Sequence, residues 1–283
     1  MNLIDGKNIA SSLKNEIKNE IDFIKSHNDS VGLAVIIVGE DPAATIYLNS
    51  KKKLATELGI DFYEYHFLEN VTDDEIIEQI KILNNDNKIN GIFIEMPLPV
   101  TINKNKILSF IDPYKDVDCL NPVSLGMIMS NIYSFAPCTA KSVMELLTRS
   151  NIDVSGKHVV ILGRSNVVGK PLALLMLNKN ATVTICHSKT ENIENISKTA
   201  DILVVAIGQK KYVNKNFVKD GAVVIDVGMH RDIIDGKSVL SGDVDFDDVK
   251  NVCSYITPVP GGVGPMTSVC IMKNCLDAKI NFG

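Results

Sequence analysis

The chain has 283 residues, 45% of them hydrophobic and 22% charged, with a formal net charge of −5. That length holds two domains with proper cores, and the balance excludes a disordered chain. The net charge gives nucleic acid no electrostatic footprint, and no apolar stretch reaches the length of a membrane span or forms a signal-peptide core, so the expectation is a cytoplasmic protein with neither partner.

Residues 8 to 25 carry Ile9, Leu13, Ile17, Ile21 and Ile24 at helical spacing, and Leu33-Ala-Val-Ile-Ile-Val38 reads as a buried strand. Asp41-Pro42, an N-cap followed by an N1 proline, starts the next helix. A strand at Asp61 to Phe67 follows, then a helix over 73–84 with Ile76, Ile77, Ile80 and Leu83 on one face, a polar turn at 84–90, and a strand from Gly91 to Glu95. Beyond a helix over 139–150, strands are expected at 159–162, 181–186, 202–206, 222–227 and near 253–256. The last helical pattern, Met266 to Ala278, carries Val269, Met272 and Leu276 and needs a partner surface, which a return to the first domain would supply. Strands alternating with helices predict an α/β fold of two α/β domains with mostly parallel sheets. The expected division is 1–140 with 262–283, and 141–261.

Between the strand at Val159–Leu162 and the helix after it lies Gly163-Arg-Ser165, with Gly169 further on. Gly163 allows a tight turn, Ser165 a close approach, and Gly169 close packing of helix on sheet, while N–H groups at the helix N-terminus face an anion. The spacing is Gly-x-Ser-x-x-x-Gly rather than Gly-x-Gly-x-x-Gly, so taken alone it also suits an ordinary strand-to-helix turn. The next strand ends in His187-Ser188-Lys189 without the carboxylate that binds a ribose 2′-hydroxyl, and Arg164 offers a guanidinium to a 2′-phosphate. NADP is therefore preferred over NAD, the plain alternative being a solvated loop.

Tyr47 and Lys51, four residues apart, share a helix face near the carboxyl end of a parallel strand, where open α/β sheets bind ligands. By itself such a pair is an ordinary solvated face. Glu95-Met-Pro-Leu-Pro99 and Lys115-Asp-Val-Asp118 place further polar groups at strand ends or loops. Six cysteines without a Cys-x-x-Cys pair and five scattered histidines show neither a metal site nor a Ser/His/Asp triad.

Asp41-Pro-Ala with Tyr47 and Lys51, Pro97-Leu-Pro99, Lys115-Asp-Val-Asp118, Pro137-Cys-Thr139, Gly163-Arg-Ser165 with Val168-Gly169 and Pro171, and Thr257-Pro-Val-Pro-Gly-Gly-Val-Gly-Pro-Met-Thr267 resemble, in order and over the whole chain, the methylenetetrahydrofolate dehydrogenase/methenyltetrahydrofolate cyclohydrolase family. The resemblance implies a folate-binding catalytic domain and a Rossmann-type NADP-binding domain flanking a cleft. It implies oxidation of 5,10-methylenetetrahydrofolate with NADP, then hydrolysis of the methenyl cation to 10-formyltetrahydrofolate, in a cytoplasmic homodimer serving purine biosynthesis. On the matching positions Lys51 assists proton transfer with the attacking water, Tyr47 stacks on the folate, and Asp118 bonds the pterin. Pro260, Gly261 and Gly264 belong to a loop over the substrate. Gly163, Arg164, Ser165, Gly169, His187, Ser188 and Met229 line the NADP.

The chain departs from the pattern at Glu95, where the family usually has Gln, and an ion pair with Lys51 would favour the ammonium and weaken hydrolysis relative to oxidation. Ala44, Cys119, Ala140 and Ser142 replace Ser, Gly, Pro and Gly, and His230 stands for Asn beside the nicotinamide with little change expected. Two alternatives to the bifunctional enzyme are a dehydrogenase with weak or absent hydrolysis, and a non-catalytic NADP- or folate-binding regulator.

Overall fold

The computed structural model describes residues 1–133, 135–234 and 237–283. In chain order the elements are β1 (Asn2–Leu3), α1 (Gly6–Ser26), β2 (Gly32–Val38), α2 (Pro42–Leu58), β3 (Asp61–Phe67), α3 (Asp73–Asn85), β4 (Gly91–Ile94), α4 (Lys104–Leu108), α5 (Pro122–Met129) and α6 (Cys138–Arg149). They continue with β5 (His158–Leu162), α7 (Gly169–Asn178), β6 (Thr182–Cys186), α8 (Ile193–Ser197), β7 (Ile202–Val205), β8 (Val223–Asp226), β9 (His230–Ile234), β10 (Lys237–Ser241), α9 (Phe246–Val249), β11 (Tyr255–Ile256) and α10 (Gly264–Phe282). The chain divides into two compact units, one of Met1–Ser11 with Thr139–Thr267, the other of Ser12–Cys138 with Ser268–Gly283.

The second of these contains a three-stranded parallel sheet in the order β3-β2-β4. Central β2 is buried along its whole length, as its unbroken apolar sequence requires of a strand covered on both faces. Against it α3 lays Ile76, Ile77, Ile80 and Leu83, and the helix starts at a capping box in which Thr72 and Glu75 satisfy each other's backbone N–H. Fully buried Asn274 of α10 donates from Nδ2 to the carbonyls of Val117 at 2.8 Å and Ala136 at 3.1 Å, which binds the last helix into this unit.

The other unit is a six-stranded parallel sheet in the order β1-β11-β8-β7-β5-β6, with β9 and β10 as a separate antiparallel pair. Register places Leu162 beside Cys186 on one side and Val205 on the other, and Val205 beside Asp226, so four strands end level at their carboxyl ends. Its core gathers Val160, Leu162, Leu203, Val205, Val224 and Ile256. Residues 1–11, expected with the first domain, make their strand contacts with this sheet: Asn2 N–H donates to Ser254 O and Ile4 N–H to Ile256 O, adding β1 to β11. Gly6 belongs there too, since a Cβ would lie 1.9 Å from the carbonyl oxygen of Gly262.

Candidate active site and nucleotide cradle

In the Ser12–Cys138 unit the functional side chains converge on the carboxyl ends of β2 and β4. Helix α2 begins at Pro42, and the Asp41 carbonyl accepts from the Thr45 N–H at 2.9 Å, so the helix leaves β2 at its carboxyl end. Lys51, three turns along, is 8% exposed, and its Nζ donates to both carboxylate oxygens of Glu95, at 2.9 and 2.8 Å. Glu95 follows β4 directly, is 6% exposed, and is fixed by its own N–H bond to Ile36 O at 2.9 Å. Phe93 lies under the ammonium, its ring centroid 4.9 Å from Nζ, a cation–π contact that holds the lysine from below. Tyr47, one turn before Lys51, keeps an exposed ring. A cavity of about 440 Å³ opens beside Glu95, lined also by Gly39, Ala44, Leu48, His66 and Pro97.

Asp118 sits on the loop that continues from the isolated bridge between Ile92 and Asp116 beside β4. Burial, with the neighbouring carboxyl of Asp116 adding to it, raises the Asp118 carboxyl to about 7, while a Cys138 hydrogen bond, Lys51 and Lys104 pull the other way. Asp116 is buried and accepts from the Asn121 N–H at 2.7 Å and the Ser124 hydroxyl at 3.0 Å, which holds the loop bearing Asp118. The structure thus brings Lys51, Glu95 and Asp118 into one electrostatic cluster.

In the parallel six-stranded unit, Gly163 ends β5 at φ +122°, and a Cβ there would lie 2.2 Å from Ala206 O. Gly169 opens α7, and a Cβ there would lie 2.1 Å from Gly163 O. Only glycine fits either position. Ser165 Oγ accepts from the Val168 N–H at 3.1 Å, and Arg164 and Ser165 are exposed on the turn. Alongside, the β6 end turns at His187, whose N–H donates to Thr190 Oγ1 at 2.9 Å and whose Nδ1 accepts from the Lys189 N–H at 3.2 Å. A neutral ring with Nδ1 accepting carries its proton on Nε2, a donor beside exposed Ser188. Met229 is exposed just after β8. Pro260 and Gly261, the latter at φ +111°, lie on the loop after β11, and Gly264 begins α10.

Sequence reading missed Phe93 and Asp116 in one unit, and in the other the buried carboxylates Asp226 and Asp243. A signal for the latter pair does exist in the sequence: each stands close to a glycine, in Asp226-Val227-Gly228 and Gly242-Asp243. Burial raises the Asp226 carboxyl to about 6 against three backbone N–H bonds. All six cysteines are reduced thiols, and among the described residues no group of His, Cys, Asp and Glu could hold a metal. Among them, too, no helix is long and apolar enough to cross a membrane.

The family model for the tetrahydrofolate dehydrogenase/cyclohydrolase catalytic domain matches residues 4–118, and that for its NAD(P)-binding domain matches 137–281. The chain is 50% identical over 277 residues to the bifunctional protein FolD of Agathobacter rectalis, covering 98% of each. It is 49% identical to that of Acetivibrio thermocellus, covering 98% of this chain and 96% of the relative. The solved bifunctional FolD enzyme, methylenetetrahydrofolate dehydrogenase/cyclohydrolase, of Campylobacter jejuni superposes with a TM-score of 0.94 at 42% identity and full coverage of both chains. The Trypanosoma brucei methylenetetrahydrofolate dehydrogenase-cyclohydrolase, complexed with NADP and an inhibitor, gives 0.91 at 38% identity, covering 98% and 96%. A chain matched across both of its units, at half identity over nearly its full length, belongs to the tetrahydrofolate dehydrogenase/cyclohydrolase family.

Proposed function

We propose that the chain is a bifunctional one-carbon folate enzyme that oxidises 5,10-methylenetetrahydrofolate to 5,10-methenyltetrahydrofolate with NADP and hydrolyses the product to 10-formyltetrahydrofolate. The observation that carries the reading is the buried Lys51 ammonium held at a strand end by Glu95, in the same unit as an Asp118 carboxyl that titrates near neutrality. NADP fits the other unit: Gly163 and Gly169 let the turn close tightly on Ala206 O and Gly163 O, which brings the start of α7 to the strand end as an anion site, and the β6 end carries His187, Ser188 and Lys189 in place of a carboxylate. Bound NADP supplies the hydride acceptor.

The rest falls to the chain's own side chains. Amides of Arg164, Ser165 and Gly169 hold the pyrophosphate over the turn at Gly163; Arg164, His187 and Ser188 serve the 2′-phosphate; Met229 lines the nicotinamide. Tyr47 offers its exposed ring to the folate, and Asp118 accepts from the pterin amino and N–H edge. Pro260, Gly261 and Gly264 form the loop over the substrate. In hydrolysis a water adds to the bridging carbon and loses a proton as the ring opens. For Lys51 to take that proton it must first release one, and the acceptor at hydrogen-bond distance is Glu95 at 2.8 Å. The bidentate pair therefore slows this step without removing it.

A homodimer, a cytoplasmic location and a supply of formyl groups to purine biosynthesis belong to the same reading and are supported by the family. The test of the site is Lys51→Met with 5,10-methenyltetrahydrofolate added directly: its enzymatic hydrolysis falls by about 10²-fold or more. Hydrolysis as fast as in the wild type contradicts the assignment.

A further inference from the structure

Beneath the carboxyl ends of β7 and β8 lies a buried arrangement of two carboxylates that the assigned roles leave unused. Asp243, fully buried, accepts through Oδ2 from the N–H groups of Ile207 at 2.8 Å and Gly208 at 2.9 Å, both on the loop after β7. Through Oδ1 it accepts from Nε2 of His230, which follows β8, at 2.7 Å. Asp226, at the end of β8, in turn accepts from the N–H groups of Gly228 at 2.9 Å, Asp243 at 3.0 Å and Val244 at 2.9 Å. No side chain fits at the two glycines: a Cβ on Gly228 would lie 2.3 Å from Asp243 Cγ, and one on Gly242 would lie 1.9 Å from Asp226 Oδ2. Each carboxylate oxygen has a donor, so the network is complete, and a complete buried network holds one geometry.

Its position gives it a use. Strand order reverses at β5, with β6 on one side and β7 and β8 on the other, and open α/β sheets bind ligands outside the carboxyl ends at that switch point. With the pyrophosphate over Gly163 and the 2′-phosphorylated ribose at the β6 end, the remaining half of the dinucleotide must extend over the ends of β7 and β8. Those are the two ends that Asp243 links.

We propose that Asp243 is a positioning residue for the nicotinamide half of the NADP site: its carboxylate fixes the Ile207–Gly208 loop to His230 and so sets the spacing of the two strand ends that receive that half. The proposal rests on the NADP reading above and adds to it a residue and a division of labour between the two halves of the cofactor site. Asn at 243 keeps the shape but has one accepting oxygen and a donating amide, so at least one of the three donors loses its partner.

The test measures binding rather than turnover. Titrations use NADP and, separately, adenosine 2′,5′-bisphosphate, which occupies only the half served by Gly163, His187 and Ser188. For Asp243→Asn the NADP Kd rises about tenfold, the effect of one unpaired buried donor, while the Kd of the bisphosphate stays within about twofold. His230→Leu, at a partly exposed position that leaves the buried carboxylates in place, reproduces the selective loss, and His230→Gln, which still donates to Asp243, restores NADP binding to within about twofold. Equal weakening of both ligands, or unchanged NADP binding in Asp243→Asn and His230→Leu, overturns the positioning role. Failure of the wild type to bind NADP would overturn the cofactor reading itself, and is seen before any variant is made.

Discussion

The pairing of Lys51 with Glu95 is where this chain's chemistry departs most from that implied by its resemblance to the family. Two of three ammonium donors are spent on one carboxylate, and both groups are buried, so the lysine is held in one place by a group that only accepts hydrogen bonds. Gln at 95 keeps one acceptor and adds a donor. Glu95→Gln is expected to raise hydrolysis of added 5,10-methenyltetrahydrofolate at neutral pH by about tenfold relative to NADP reduction, a fraction of the roughly 10²–10⁴-fold that a general base contributes. No gain in that ratio contradicts the restraint assigned to Glu95. Asp118 bears on stability. Its carboxyl titrates at about 7 in the fold, chiefly because of burial, whereas an unfolded Asp ionises near about 4. Between those values the folded chain keeps a proton that the unfolded chain has released, so the stability present at low pH is lost as pH rises through the window. In Asp118→Asn the loss disappears: the Tm of the variant relative to the wild type climbs by roughly 10 °C from pH 4 to pH 8, at about 1.4 kcal/mol for each of roughly three pKa units. Parallel melting curves across that range contradict a protonated Asp118.

At the scale of elements, legibility followed local pattern. The α3 face, the buried β2 run and the β5 turn into α7 all show in short windows, because burial and glycine geometry are encoded within a few residues. Two-residue β1 and the β9–β10 pair were not read. β1 exists only through its bonds to β11, more than 250 residues away, and the β9–β10 pair has no uniform apolar alternation to mark it. Of the site, the glycine cradle came from physical reasoning. Lys51, Tyr47 and Asp118 gained meaning only from the family resemblance, since a Tyr/Lys pair on a helix is an ordinary surface feature. Asp226 and Asp243 escaped because their side chains act on backbone amides gathered by the fold. The cradle gives the sharpest element-scale prediction. Gly163→Ala combines φ +122° with a Cβ 2.2 Å from a carbonyl oxygen, so the turn must move and NADP affinity drops by about 10²-fold, a loss of roughly 3 kcal/mol. A Kd within about threefold of wild type would show that the turn does not carry the pyrophosphate.

Across the whole molecule, chain order and spatial order part company. The first eleven residues belong to the nucleotide unit, and the last sixteen belong with Ser12–Cys138, to which Asn274 holds them by two carbonyl bonds. Each unit is therefore completed by a segment distant in sequence, and the bifunctional activity needs both: a cradle built at the ends of six parallel strands and a lysine–carboxylate cluster built at the ends of three. The most direct test is one progress curve with purified protein, NADP and 5,10-methylenetetrahydrofolate, following NADPH and the methenyl intermediate together against a control for spontaneous hydrolysis. NADPH formation with methenyl held below stoichiometric build-up, consumed faster than in the control, is the predicted result. NADPH formation with equimolar methenyl that decays only at the control rate, or no NADPH at all, would contradict the bifunctional assignment.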